Sequence, residues 1–388
     1  MRVALVTETF LPSVDGVVTR LTRTLDWLID HGHETLVVAP DLGVDEYRGA
    51  RVAGVRAVTW PVYRSRPWGT PSPRVAAAVR EFAPDLVHAW QPTLVGLWAV
   101  EECRRSGTPL VTSYHTDIAS YLDYYGPMRL LRRPIAWYER RSHNLAALTL
   151  VTSEAMRAKL DTAGIERLRV LPRGVDAEAR NPRFRDEGMR ARLTGGRPEM
   201  PLAVYVGRVS AEKGLAELVP VFRAHPEWAL AVVGDGPELP SLRRALEGTR
   251  TVFTGFLGGE ELSRAFASAD AFVFPSTTET LGLVILEAMA SGVPVVAAAS
   301  PATLGQITDG VDGLVYDPRD EGALERALAR VLGDPALAGA MRERGLAEAR
   351  ANSWESASAA VYEAYEEALG MYAAGWAPPR HPGRRRRS

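Results

Sequence analysis

The chain has 388 residues, 24% charged and 46% hydrophobic, with 34 glycines and 27 prolines; the length predicts two domains or one unusually large one, and the composition excludes collagen-like, disordered and coiled-coil classes. Its net charge of −1 conceals a basic tail, Trp376 to Ser388, with five arginines and no acid; the body carries 41 basic against 47 acidic side chains, which argues against a nucleic-acid binder. No uninterrupted apolar run reaches the roughly 18 residues of a membrane span, and the one cysteine, Cys103, suits a reducing cytoplasm.

The chain opens on Arg2–Thr7, a strand-like run followed by Glu8 rather than a signal peptide. Further strands are predicted at Glu34–Val38, Asp85–His88, Pro109–Ser113 and Leu148–Val151. Between them lie helical-period segments at Val17–Gly32, Pro73–Phe82, Leu94–Ser106 and Arg129–Ala146. The alternation predicts parallel strands with helical crossovers. It breaks over Arg173–Pro201, where Gly174, Pro182, Gly195, Gly196 and Pro198 read as an irregular connector. It restarts with strands at Leu202–Val206, Ala229–Val233, Thr251–Thr254, Ala271–Phe274 and Val293–Ala297. Helices near Gly322–Leu332, Pro335–Ala351 and Trp354–Met371 close the pattern.

The fold class is therefore α/β, with two Rossmann-like doubly wound domains over residues 1–180 and 200–353 facing a cleft, and a disordered basic tail over 373–388. Ligands bind outside the carboxyl ends of such strands, so the loops there are where chemistry is sought.

The first such loop holds Asp15-Gly16 before a helix, either a close approach for an anion or a plain turn with Asp15 as cap. Thr112-Ser113-Tyr114-His115-Thr116-Asp117 follows another strand and turns His115 to the same cleft, while His88 is as well read as a core histidine. In the second half, Gly207-Arg208-Val209-Ser210-Ala211-Glu212-Lys213-Gly214 brings two cations to a loop opening a helix near Gly214, a site for a diphosphate. It lacks Walker A spacing, and Lys213 is one of only two lysines in the chain. The opposing reading pairs Arg208 with Glu212.

Gly234-Asp235-Gly236 and Thr254-Gly255-Phe256 end two more strands; they are plain turns or main-chain contacts to a nucleobase. The last loop, Pro275 to Ala288, carries Glu279 and, eight positions on, Glu287, a spacing that on a helix brings both carboxylates toward one side. Glu287 stands among Leu283, Val284, Ile285, Leu286 and Ala288, so it must be hydrogen-bonded or face a ligand such as a ribose or sugar hydroxyl. The amides of Thr280, Leu281, Gly282 and Leu283 can hold an anion. No metal-ligand spacing is present, and Ser153 reads as a helix cap.

In order, G-R-x-x-x-E-K-G, V-V-G-D-G-P, F-T-G-F and S-x-x-E-T-L-G-L-x-x-L-E-A-M-A-x-G-x-P-V-V resemble the retaining glycosyltransferases of family four, with the GT-B fold, over nearly the whole chain. The resemblance implies that Glu279 touches the donor sugar, Glu287 the ribose, and Arg208 and Lys213 the diphosphate. It places His115 near the reacting sugar carbon, and Asp15-Gly16 where many members have a Gly-Gly pair. It makes the first domain the acceptor side, with Asp15, Tyr114 and Asp117, and the second the donor side, with no metal or other cofactor. It also sends a helix over 355–372, after Ser353-Trp354, back to the first domain. Within the family, N-P-R-F-R, M-R-x-R-L and E-T-L-G-L look most like lipid-directed members, the sulfoquinovosyl diacylglycerol synthases and GDP-mannose-dependent mannosyltransferases.

The expected activity is hexosyl transfer from a GDP- or UDP-sugar to a lipid or small-molecule hydroxyl. A non-catalytic sugar or nucleotide binder and a sugar-nucleotide epimerase fit the same architecture. Tyr121, Tyr124, Tyr125, Met128, Leu130, Leu131, Ile135 and Trp137 interleave with Arg129, Arg132 and Arg133, a basic amphipathic pattern for the cytoplasmic face of an anionic membrane. A core helix with solvated arginines fits it equally.

Overall fold

The computed structural model describes residues 1–13, 15–60, 63–115, 130–278 and 282–379. The chain divides into two compact units: Met1–Pro172 with Glu355–Ser388, and Arg173–Trp354.

The first unit contains β1 (Arg2–Thr7), β2 (Glu34–Pro40), β3 (Glu46–Tyr47), β4 (Ala50–Val55), β5 (Ala57–Trp60), β6 (Tyr63–Gly69), β7 (Leu86–Trp90), β8 (Leu110–Tyr114), β9 (Leu148–Val151) and β10 (Leu168–Val170). Its helices are α1 (Gly16–Asp30), α2 (Pro73–Phe82), α3 (Gly96–Ser106), α4 (Arg132–Asn144) and α5 (Glu154–Thr162). Eight strands form one sheet in the order β10-β9-β8-β7-β1-β2-β4-β3, parallel except for β3. Helices cover both faces, so β1 is apolar on both: Val3 and Leu5 join Leu21, Leu25 and Leu28, whereas Ala4 and Val6 join Val75, Val79 and Val100. The last helix, Trp354–Ala373, adds Val361, Ala364, Tyr365 and Ala368 to the Leu5 side.

The second unit contains β11 (Leu202–Val206), β12 (Ala229–Val233), β13 (Thr251–Gly255), β14 (Ala271–Phe274), β15 (Val295–Ala298) and β16 (Gly313–Tyr316). Its helices are α6 (Glu187–Leu193), α7 (Leu218–Ala224), α8 (Leu239–Ala245), α9 (Gly259–Ala267), α10 (Leu283–Ala290), α11 (Pro301–Leu304), α12 (Ala323–Gly333) and α13 (Pro335–Ala351). The order β13-β12-β11-β14-β15-β16, all parallel, is a doubly wound sheet whose direction of winding reverses between β11 and β14.

Several expectations change. Residues 173–200, expected as a connector, belong to the second unit and carry a 3₁₀ turn at Pro182–Phe184 as well as α6. Strands β3 to β6, β10 and β16 were not predicted: β3, β5, β10 and β16 are two to four residues long, and β4 and β6 carry arginines that break the apolar run. The helix expected from Gly214 begins only at Leu218. Gly214 has φ 69°, and a left-handed residue ends the preceding Ala211–Lys213 turn, so two 3₁₀ turns stand where the helix was expected. The tail beyond Pro379 lies outside the described residues.

Candidate active site

In the second unit, the loops after β11 and β14 flank the point where the winding reverses, the place where an open α/β sheet leaves room for a ligand. The loops after β11 to β14 are joined by hydrogen bonds, most of them between main chains. Val209 N–H donates to Asp235 O at 2.9 Å, Gly234 N–H to Gly255 O at 2.8 Å, and Thr278 Oγ1 to Glu212 O at 3.0 Å. Tyr205 Oη donates to Arg208 O at 2.8 Å, which ties the backbone of the first cation to the sheet. Ser210 Oγ donates to the Glu212 carboxylate at 2.7 Å.

This closeness explains Gly234. Its φ is 141°, and a Cβ there would overlap the carbonyl oxygen of Gly207. Gly282 is the other demanding position: it starts α10 with φ 59°, and a Cβ would meet Gln306 Nε2 at 2.5 Å. Phe256, directly after the Gly255 turn, is 67% exposed beside these loops. The structure therefore brings together Arg208, Lys213, Gly234, Gly236, Thr254, Gly255, Phe256, Gly282 and Leu283 on adjoining loops. Glu279, Thr280 and Leu281 lie outside the described residues.

Glu287 sits in the fifth position of α10, its side chain 31% accessible. Burial raises its pKa above the usual carboxylate range, against the opposing pull of Arg180, whose Nη2 lies 3.3 Å from Oε1. Sequence reasoning passed over Arg180, which stands in no motif.

The first unit has its own reversal point, between β1 and β7. Here the Glu8 carboxylate accepts from the N–H groups of Thr93, Val95 and Gly96 at 2.9–3.1 Å, so the amides at the start of α3 are taken by a side chain of the chain itself. Asp15 likewise caps α1, its Oδ1 accepting from Val17 and Val18 at 2.9 Å, with Gly16 the first helical residue. The cap expected of Asp15 is thus present.

His115 follows β8 and is 4% exposed. Its ring stacks on Trp90 with centroids 4.9 Å apart, and its N–H donates to Gln91 Oε1 at 2.8 Å. Gln91, also missed from sequence, holds φ 61°, a strained conformation for a non-glycine that costs about 1–3 kcal/mol. Burial, then the Arg20 charge and then that of His143, pushes the His115 pKa down to about 3, so its imidazole is neutral. His88 is a satisfied core histidine, with Nδ1 2.7 Å from Tyr365 Oη and Nε2 2.5 Å from Ser113 Oγ. Tyr114, expected on the acceptor side, is buried and packs with Val151, Met156, Leu160 and Ile165, as alternate residues of a strand face opposite sides of the sheet. Asp117 lies outside the described residues. Ser153 caps α5, accepting from Met156 N–H at 3.1 Å.

Two doubly wound units, the second with a cation-bearing loop and a carboxylate helix at its reversal point, have the architecture of a GT-B glycosyltransferase. The fold matches sucrose-phosphate synthase from Thermosynechococcus elongatus, with a TM-score of 0.78 at 22% identity over 96% of this chain and all of that one. It also matches Anabaena HepE solved with UDP, with a TM-score of 0.77 at 20% identity over 95% and 100%.

The model for glycosyltransferase family 4 matches residues 14–179, and that for glycosyl transferases group 1 matches residues 194–348. The GDP-mannose-dependent alpha-mannosyltransferase of Mycolicibacterium smegmatis is 35% identical over 95% of this chain and 98% of its own length. The sulfoquinovosyl transferase SQD2 of Arabidopsis thaliana is 41% identical over 79% of this chain; the match spans 62% of that longer protein. The chain belongs to glycosyltransferase family 4, and membership makes its class of reaction the transfer of a hexosyl group from a nucleotide sugar. Among the described residues, no helix is long and apolar enough to cross a membrane.

Proposed function

We propose that this enzyme moves a hexosyl group from a GDP- or UDP-sugar to a lipid hydroxyl, with retention at the anomeric carbon. The observation that carries it is the joining of the Arg208–Lys213 loop to the β14–α10 loop through Thr278 and Glu212. That contact ties the loop carrying Arg208 and Lys213 to the loop that leads toward the helix bearing Glu287.

Departure of the diphosphate builds negative charge on its oxygens, which fixed cations stabilise without reorganising. Arg208 and Lys213 are assigned that role, and we assign no metal to the step. Glu287 takes ribose hydroxyls and Glu279 the donor sugar. His115, neutral, can exchange hydrogen bonds with sugar hydroxyls but has no proton to give as an acid near pH 7. The acceptor hydroxyl attacks from the face the diphosphate leaves, and its proton passes to the departing phosphate oxygen.

Support for a lipid acceptor comes from the start of α4. Leu130, Leu131 and Trp137 are 83%, 48% and 55% exposed, next to the exposed Arg132 and Arg133. Apolar side chains ringed by arginine suit the surface of an anionic bilayer. Several relatives bear names that specify lipid products, among them an alpha-monoglucosyldiacylglycerol synthase of Streptococcus pneumoniae.

The test is turnover of GDP- and UDP-hexoses with diacylglycerol- and phosphatidylinositol-type acceptors, with product anomers read by NMR. Arg208→Ala and Lys213→Ala should each lower kcat about 10²-fold or more, and EDTA should not. Full activity in both variants would remove the diphosphate assignment. Co-sedimentation with anionic vesicles at low salt should fall in a Leu130→Asp, Trp137→Asp double variant. An absence of vesicle binding by the parent protein would shift the acceptor to a soluble alcohol.

A further inference from the structure

Arg180 has no place in the motifs, yet the chain invests several contacts in fixing it. The turn that carries it is closed by Asp176, whose Oδ1 accepts from Ala179 N–H at 2.9 Å and whose carbonyl accepts from Arg180 N–H at 2.8 Å. The guanidinium Nη1 donates to Ser263 Oγ at 2.7 Å, and Ser263 Oγ donates on to Ala179 O at 2.6 Å. Its plane lies over the Phe266 ring at 5.9 Å. Ser263 and Phe266 are buried residues of α9. From this seat, Nη2 reaches Glu287 Oε1 at 3.3 Å. The Arg180 side chain is only 12% accessible.

The contact is one-sided. A bidentate guanidinium–carboxylate pair would occupy both oxygens. Here the nearest approach is Nη2 to Oε1, and Oε2 accepts no hydrogen bond from any described residue. A carboxylate that is to accept two vicinal ribose hydroxyls must be ionised, held in one rotamer, and left with an oxygen for the ligand. Arg180 meets all three requirements.

We infer that Arg180 is the positioning residue for Glu287, and that through it the site selects ribonucleoside over dideoxyribonucleoside diphosphates. This rests on the reading of Glu287 as the ribose ligand. A fixed cation supplies the pairing that a half-buried carboxylate otherwise lacks. Ser263 limits the guanidinium to one orientation, so the carboxylate does not collapse into a closed pair. Without Arg180, Glu287 binds a proton more readily, and the ribose loses an acceptor.

The experiment is calorimetric titration of full-length protein with UDP, GDP and their 2′,3′-dideoxy counterparts, from pH 6 to 8, in the parent, Arg180→Met and Arg180→Lys. The parent should bind the ribonucleotide at least about tenfold more tightly, as loss of hydrogen bonds to a charged acceptor implies. Arg180→Met should lose most of that ratio while the dideoxy affinity changes less than about threefold. Its ribonucleotide affinity should also fall as pH drops toward 6. Arg180→Lys keeps the charge but cannot bridge Ser263 and Glu287 together, so its ratio should lie between the two. A parental ratio in Arg180→Met, or in Arg180→Lys should the first not fold, overturns the inference while leaving Glu287 as the ribose ligand. A parent that binds both nucleotide forms equally overturns the ribose reading itself, and the inference with it.

Discussion

Acid should loosen the first unit and spare the second. His88, His115 and His143 are all buried in the first unit, at 0%, 4% and 1% exposure. Burial lowers the pKa of each, to about 3 for His115 and His143 and well below the usual value for His88. Each binds its proton near pH 6.5 in the unfolded chain and only far below that in the folded one. Below pH 6.5 the unfolded state therefore holds more protons, and stability falls as pH falls. Each such histidine removes about 1.4 kcal/mol per pH unit over that window, so at pH 5 His115 and His143 together withdraw about 4 kcal/mol, with His88 adding in the same direction. Glu8 opposes part of this, since burial raises its pKa and the folded state takes up a proton there.

In the second unit, His225 behaves oppositely. Hydrogen bonds donated to Glu325 and Glu227 raise its pKa, so its contribution is present below pH 6.5 and lost as pH rises. Hydrogen exchange read by mass spectrometry at pH 7.5 and 5, corrected for intrinsic rates, gives the opening free energy of each unit separately. Peptides from β7, β8 and β9 should lose at least about 2 kcal/mol between the two, the linkage of a single histidine, while β11 and β12 hold. His143→Gln should flatten the slope by about one proton. A change under about 1 kcal/mol in the first unit would refute the reasoning.

Three further outcomes follow from the packing. Gly234→Ala should abolish nucleotide binding, read by calorimetry, because the new methyl displaces the Gly207 carbonyl and with it the Arg208 loop. Arg190→Met should cost about 3 kcal/mol in denaturant unfolding: the guanidinium donates to Pro198 O, Ser268 O and Met200 O and pairs with Asp270 at 2.8 Å, all of which lose a partner. Glu8→Ala should destabilise the first unit by about 3 kcal/mol, seen as faster exchange in α3, since three amides, those of Val95 and Gly96 buried, lose their acceptor.

The alternation of strand and helix was legible because a doubly wound sheet buries both faces of its central strands, and such strands read as continuous apolar runs. β1, β11 and β12 stand where the periodicity put them, at Arg2–Thr7, Leu202–Val206 and Ala229–Val233. The edge of the first sheet was not legible. β3 is two residues long, and β4 is interrupted by the exposed Arg51 on one face and Gly54 on the other, so neither reads as a continuous apolar run. Helix starts were misplaced where a backbone conformation decided them. Gly214 looked like the opening of a helix, but its positive φ interrupts one.

At the candidate site, the same division separates what a sequence states from what a fold adds. Arg208, Lys213 and Glu287 were found because each is chemically out of keeping with its neighbours: cations on a loop after an apolar strand, and an acid inside an apolar helix. That signal marks groups that need a partner, and it is silent on which partner they have. Arg180, Gln91 and Glu8 act through contacts made far along the chain, with Glu287, with the His115 amide, and with the amides of Thr93, Val95 and Gly96. Nothing local distinguishes them from solvated residues in turns. Tyr114 shows the converse: one position from His115 in sequence, it points into the core because a strand alternates its side chains between faces. The register of β8 against β7 and β9, Ser113 opposite Trp90 and Tyr114 opposite Val151, sets which neighbours each of these side chains packs against, and that is information no single strand carries.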